Sequence, residues 1–307
     1  YGIVTANELV FPASKAVRLN LRTTDVIHSF WLPKLAGKMD LMPGQENFIW
    51  FVADKEKLLV KTDKDGKVTA AGEAEAMPAV HNGKLRETLF EDRSFTDEFD
   101  PVGGLFYGQC AEYCGNAHAY MLFRAMAQTD ADFALWVKRF QDSQTDPNRL
   151  QPYDSQKEYA KGDVVIFKDS SLGEDRSREW VAKEDLEKGQ PPDIAESSWA
   201  KKHGDDYEHG KHHFEASQCS QCHSINRTGL GDKGPNLTLF GLRTSLAAGW
   251  RRNDVASLRE WLRNSNDVKY GNLMWNGEGI NDEHHVRTLH KDENKINQLI
   301  AYLLGQS

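Results

Sequence analysis

The four cysteines of this 307-residue chain fall in two short runs and nowhere else. The first run is CAEYCGNAHAYM, from Cys110 to Met121, and the second is CSQCH, from Cys219 to His223. Each packs several soft ligands into a few residues, so the fold must close twice around a reactive cluster. Cys110 and Cys114 are four apart, a spacing that fits one helix face. Gly103, Gly104, Gly108 and Gly115 around them argue instead for a loop between strands. Folded on itself, such a loop points both thiols, His118 and Met121 at one place. Thiolate with thioether selects copper among common metals. Two thiolates in place of one point to two coppers sharing both sulfurs, which requires a second imidazole. His28, in VIHSFWLP, is the candidate, because His81 lies in a polar stretch. Two alternatives stand beside copper: a closed Cys2His2 zinc site, which gives Met121 no role, and a Cys110–Cys114 disulfide.

The second run carries the attachment signal of a c-type haem. Cys219 and Cys222 would form the thioethers, and His223 would be the proximal iron ligand. A zinc knuckle or a thioredoxin-like pair are the alternatives. Of the six methionines only Met274 follows the signal, so it is the candidate sixth ligand. His284, His285 and His290 are its rivals.

Patterning around the runs divides the chain. Val17, Leu19 and Leu21 alternate with Arg18, Asn20 and Arg22 as in a half-buried strand, and Phe48, Trp50 and Val52 form a second alternating set, so the N-terminal part reads as β. A helix is predicted at DADFALWVKRF, with Phe133, Trp136, Val137 and Phe140 on one face. After Gly210 the pattern is α: Leu258, Trp261 and Leu262 mark one helix, and Ile296, Leu299, Ile300 and Leu303 another. Residues 141–210 hold 17 Asp and Glu against 10 Lys and Arg, nearly all of the net charge of −8. They read as a solvated acidic connector with short ordered pieces such as VVIF. The expected division is 1–140, with an insertion over about 54–100, then a connector over 141–209, then 210–307. The acidic balance argues against a nucleic-acid partner. No run is apolar enough to span a bilayer and Tyr1 opens no signal peptide, so the expectation is the soluble part of something larger.

The residues HSFWLPKLAGKMDLMPG from His28, with GQCAEYCGNAHAYM, resemble the CuA domain of cytochrome c oxidase subunit II over roughly Val4 to Phe140. The resemblance implies a cupredoxin-like all-β sandwich. It implies that Cys110 and Cys114 bridge two coppers, that His28 and His118 cap one each, and that Met121 and the Glu112 carbonyl are weak ligands. It also implies a magnesium ion reached by the Glu112 side chain at the boundary with subunit I. The stretch from about Gly210 to Leu304 resembles an all-α class I cytochrome c domain. GPNLTLFGLRT there implies that the Pro235 carbonyl orients His223, and YGNLMW is similar to the methionine loop.

Together the two resemble the fused subunit II of caa-type haem–copper oxidases. That implies an electron-transfer subunit of a terminal oxidase: electrons pass from a cytochrome or other donor through haem c to CuA, and on to the subunit I that reduces oxygen. Other oxidase subunits are implied partners. The expected place is the periplasm or the outer face of the cytoplasmic membrane, anchored by helices outside this chain. The chain departs from the family in lacking those two helices and a tryptophan-rich strand upstream, and in its long insertion. The alternative is the electron-input subunit of a CuA-containing nitric oxide reductase. A nitrous oxide reductase would need a histidine-rich copper domain, and a copper store would need no haem.

Overall fold

The computed structural model describes residues 2–54, 61–62, 68–69, 104–144, 151–173, 176–193, 198–216, 219–226, 233–272, 274 and 292–306. The N-terminal part is a two-layer β-sandwich. Its larger sheet has the order β1 (Glu8–Pro12), β9 (Leu122–Gln128), β8 (Leu105–Cys110), β3 (His28–Trp31), β4 (Lys38–Leu41). β1 runs parallel to β9 and the other neighbours are antiparallel. The second layer pairs β2 (Val17–Leu21) with β5 (Asn47–Phe51). Phe11, Leu32, Phe51, Phe106, Ala125 and Ala127 fill the space between the layers, and Phe11 meets Phe51 edge-to-face at 5.2 Å. Small residues on β9 let Phe106 and Phe51 share one core without overpacking.

The register of β2 against β5 decides which alternate set of β5 is buried. Leu19 opposes Ile49 and Val17 opposes Phe51, so Ile49 and Phe51 point inward. Phe48, Trp50 and Val52 face out, at 50%, 65% and 47% exposure. The alternation is real, but its phase is set by the partner strand. Arg18 covers Phe48, with its guanidinium 4.3 Å from the ring centre.

The sandwich closes with α1 (Asp130–Gln144), whose Val137 and Phe140 are buried while Phe133 and Trp136 are half-buried. The side chain of Thr129 accepts the Asp132 amide at 3.2 Å, supplying the cap at its N-terminus. In the stretch read as an insertion, β6 (Lys61–Thr62) pairs antiparallel with β7 (Val68–Thr69), and the DKDG between them and the remainder lie outside the described residues.

The acidic stretch is more ordered than its composition implies. β10 (Val164–Lys168), β11 (Ser177–Ala182) and β12 (Trp199–Lys201) form a sheet. Tyr159, Val165, Trp180, Leu186 and Trp199 make its own core. The charges lie on the surface, and a few large aromatics supply the apolar area that the composition hides.

The C-terminal part is helical: α2 (Asp205–Ala216), the single turn α3 (Cys219–Cys222), α4 (Val255–Arg263), α5 (Ser265–Val268) and α6 (Glu293–Leu304). Asp254 caps α4, accepting the Ser257 amide at 2.7 Å. Ile296, Leu299, Ile300 and Leu303 of α6 are buried with Phe214, Leu258 and Leu262 in one core. α2 crosses α6 at Gly210, where a Cβ would come within 1.9 Å of the Gln298 carbonyl oxygen, so only glycine admits this approach. A short hairpin, β13 (Ser245–Leu246) and β14 (Arg251–Arg252), projects from this part. No helix among the described residues is long and apolar enough to cross a membrane.

Candidate metal and haem sites

β3 and β8 are neighbours, with Phe30 opposite Cys110. That pairing brings His28, at the start of β3, beside Cys110, at the end of β8, although 82 residues separate them. The loop after Cys110 turns back through Gly115 (φ 118°) and a single 3-10 turn, His118–Tyr120, into β9. The Cys110 amide donates to the Met121 carbonyl at 2.9 Å and closes the loop.

The thiol sulfurs of Cys110 and Cys114 lie 3.8 Å apart. That is too long for a disulfide, and close enough for both sulfurs to share an ion. Cys110 Sγ lies 4.0 Å from His28 Nδ1, and Cys114 Sγ lies 3.6 Å from His118 Nδ1. Met121 Sδ is 3.9 Å from Cys114 Sγ, and the Glu112 carbonyl is 3.2 Å from Cys110 Sγ. The Glu112 side chain is exposed. Among the described residues, the group whose ligand atoms all lie within 4.8 Å of one another is His28, Cys110 and Cys114. His118 falls outside that group and pairs with Cys114 alone. One imidazole per sulfur, with a weak donor beside each, fits two ions sharing the thiolates better than one tetrahedral zinc. Burial, then the neighbouring Cys110 thiol, pushes the Cys114 pKa up to about 11. A metal entering here therefore displaces a tightly held proton.

Sequence reading missed Asp25. Its carboxylate lies 3.1 Å from His28 Nε2 and so fixes the ring with Nδ1 toward the sulfurs. The Thr23 hydroxyl first, then His28, holds Asp25 down at about 2. The local signal was an acidic residue three before the histidine in TTDVIH.

At the second run α3 carries Cys219 and Cys222 on one turn. The His223 ring nitrogen Nδ1 donates to the Pro235 carbonyl at 2.8 Å, which leaves Nε2 free for a metal. A Cβ at Gly234 would lie 2.6 Å from the His223 ring, so this glycine lets the loop close over the imidazole. Cys219 packs on the helical core, and burial pushes its pKa up to about 11. The donor set and the held imidazole fit a c-type haem. Met274 is half-buried; residues 273 and 275–291, with the rival His284, His285 and His290, lie outside the described residues.

The two sites are not isolated from each other. The Leu122 amide, next to Met121, donates to the Ala248 carbonyl at 3.1 Å. The Tyr120 ring meets Trp250 edge-to-face at 4.9 Å. Sequence reading gave no sign of this contact.

Comparison with known proteins points to cytochrome c oxidase subunit II. The family described as cytochrome C oxidase subunit II, periplasmic domain, matches residues 3–64. Cytochrome c oxidase subunit 2 of Bacillus sp. (strain PS3) is 27% identical over 99% of this chain and 57% of its own length. That of Bacillus subtilis (strain 168) is 24% identical over 89% of this chain and 51% of its own. The chain thus spans about half the length of the curated relatives it matches. The solved periplasmic domain of cytochrome oxidase subunit II from Bradyrhizobium japonicum is 29% identical, covering 44% of this chain and 64% of that one, with a TM-score of 0.28. The resemblance to cytochrome c oxidase subunit II therefore extends beyond the ligand run to nearly the whole chain.

Proposed function

We propose that this chain is the electron-transfer part of an oxidase subunit II, with a cupredoxin-like copper module at its N-terminus and a cytochrome c module at its C-terminus. The observation that carries the reading is the one-imidazole-per-sulfur arrangement of His28, Cys110, Cys114 and His118, in a chain similar to subunit 2 along almost its whole length. When bound, a copper pair and a c-type haem supply one-electron chemistry, and the chain's own residues do the rest. Cys110 and Cys114 would hold the copper pair through their sulfurs. Asp25 orients His28, and Tyr113 packs 5.8 Å from His118. Cys219 and Cys222 would attach the haem covalently, and the Pro235 carbonyl fixes the tautomer of His223. Met274 would supply the remaining iron ligand, and ligation by His and Met raises a haem potential toward that of an electron carrier.

Val26, Ile27 and Tyr113 are exposed beside the copper ligands. An apolar rim of this kind suits docking on a partner such as subunit I, and the exposed Glu112 carboxylate would be the ligand for a magnesium ion at that boundary. The electron enters from a cytochrome or other donor at the haem module. The whole acts at the outer face of the cytoplasmic membrane, in the periplasm. The test is photoreduction of the loaded chain. An electron injected at the haem should bleach the copper absorption in step with haem reoxidation. A haem that stays reduced beside oxidised copper would overturn the reading.

A further inference from the structure

The contact between the two halves is built from both sides. The turn of the β13–β14 hairpin holds Ala247, Ala248 and Gly249 at φ of 55°, 58° and 81°. Left-handed alanines are unfavourable, and this turn uses the strained backbone to present two carbonyls. Ala248 accepts the Leu122 amide and Gly249 accepts Arg124 Nη2, each at 3.1 Å. Gly249 has no spare room, since a Cβ there would lie 3.2 Å from Leu122. Arg124 is buried and held against the Tyr107 ring at 3.9 Å.

At the base of the hairpin sits Glu8, which is 9% exposed. One of its oxygens, Oε1, accepts the Thr244 amide and hydroxyl at 2.7 Å each, the Ser245 amide at 3.1 Å and the Ser245 hydroxyl at 3.4 Å. Glu8 also stands opposite Arg124 in the β1–β9 pair. A carboxylate taken out of water is costly unless it is bonded and compensated, and here it is both, across 236 residues of chain. The same segment reaches back toward the haem signal. Arg243 donates to the Asn236 carbonyl, next to the Pro235 that holds His223.

We propose that this hairpin is a docking element that holds the C-terminal module at one fixed place over the exit of the copper-ligand loop, and that Glu8 is its positioning residue. The proposal rests on the relay reading and adds a standing internal contact to it. The haem module is not presented by diffusion on a tether, so transfer between the sites needs no docking step.

The experiment follows hydrogen exchange at the Leu122 amide, whose partner is in the hairpin, in the full chain. Glu8→Ala removes the acceptor for four donors. Exchange at Leu122 should rise at least about tenfold, the scale expected for a buried charged partner left unmatched. Glu8→Gln keeps a carbonyl oxygen at that position and should stay within about threefold of the parent. In the copper- and haem-loaded chain, photo-initiated transfer should be independent of solvent viscosity. Glu8→Ala should make it slower and viscosity-dependent while both absorption spectra stay unchanged. Gly249→Val intrudes on Leu122 without touching Glu8 and should give the same signature if Glu8→Ala does not fold. Unchanged Leu122 protection in these variants, loss as large in Glu8→Gln as in Glu8→Ala, or a viscosity-dependent parent would each overturn the proposal. A chain that takes up neither copper nor haem would defeat the relay reading instead, and Leu122 exchange in the metal-free chain would still judge the docking.

Discussion

Arg178 offers the sharpest test of how the acidic middle stretch joins its neighbours. Its side chain has no solvent exposure. Nε lies 2.6 Å from Asp169 Oδ2, Nη2 lies 2.5 Å from Asp205 Oδ1, and Nη1 donates to the His203 carbonyl at 3.2 Å. Arg178 lies on β11, Asp169 directly follows β10 and Asp205 opens α2, so one guanidinium pins the middle sheet to α2. Arg178→Ala leaves Asp169, only 9% exposed, without its main partner. Breaking a buried pair in this way costs about 3–5 kcal/mol. Lys201 remains 3.5 Å from Asp169 and 3.1 Å from Asp205, and partly compensates, so the low end of about 3 kcal/mol applies. At about 1.4 kcal/mol per decade this is roughly a hundredfold rise in local opening. Hydrogen exchange of peptides covering 177–182 and 205–216 reads it directly. A rise below about threefold, under 1 kcal/mol, would mean that the middle sheet hangs loosely and Arg178 clamps nothing. Acid should have the same effect. Burial opposes ionisation of Asp169, but the Ser171 bonds and the Arg178 and Lys201 charges outweigh it; Arg178 and then Lys201 hold Asp205 down. Both folded pKa values are depressed, so the stability is present above the unfolded carboxylate value near about 4 and is lost as pH falls through the folded values.

Three further outcomes follow. His203 is stacked 3.8 Å from Tyr207, and burial pushes its pKa down to about 4. The unfolded state then binds the extra proton between about pH 6.5 and 4, so stability falls as pH drops through that window. His203→Gln should flatten that part of a denaturation-versus-pH curve, and an unaltered slope would refute the assignment. Cys114→Ser should abolish copper uptake and leave the haem spectrum intact, because the two cores share no residue; copper retained at two per chain would contradict the shared-thiolate site. Met274→Ala should keep the haem attached through Cys219 and Cys222 and lower its potential in a redox titration. An unchanged potential would hand the sixth position to one of the downstream histidines.

The features legible in the sequence were those carried by local pattern. CAEYCGNAHAYM declares its donors, and the structure gathers them with His28 because a loop between paired strands has few ways to close. The helices around Val137, Leu258 and Ile296 follow from 3.6-residue spacing and clear caps. Strand phase did not follow, because a period of two says which residues share a face but not which face is inside; Phe48 and Trp50 turned outward. The middle sheet was masked by surface charge, which says nothing about a core of Tyr159, Trp180 and Trp199. Asp25, despite its place three before His28, and the Glu8–Thr244 contact were missed for a different reason. Single polar residues have no periodicity, and a bond between positions 8 and 244 leaves no local trace.

The central claim is that one chain carries a copper pair and a covalent haem. Metal analysis and haem quantification on a single preparation of the full chain, expressed with copper and haem-attachment machinery, test it most directly. The account predicts two coppers and one covalent haem per chain, with no stoichiometric zinc. One zinc per chain in place of copper, or haem that extracts into acidified organic solvent, would contradict it.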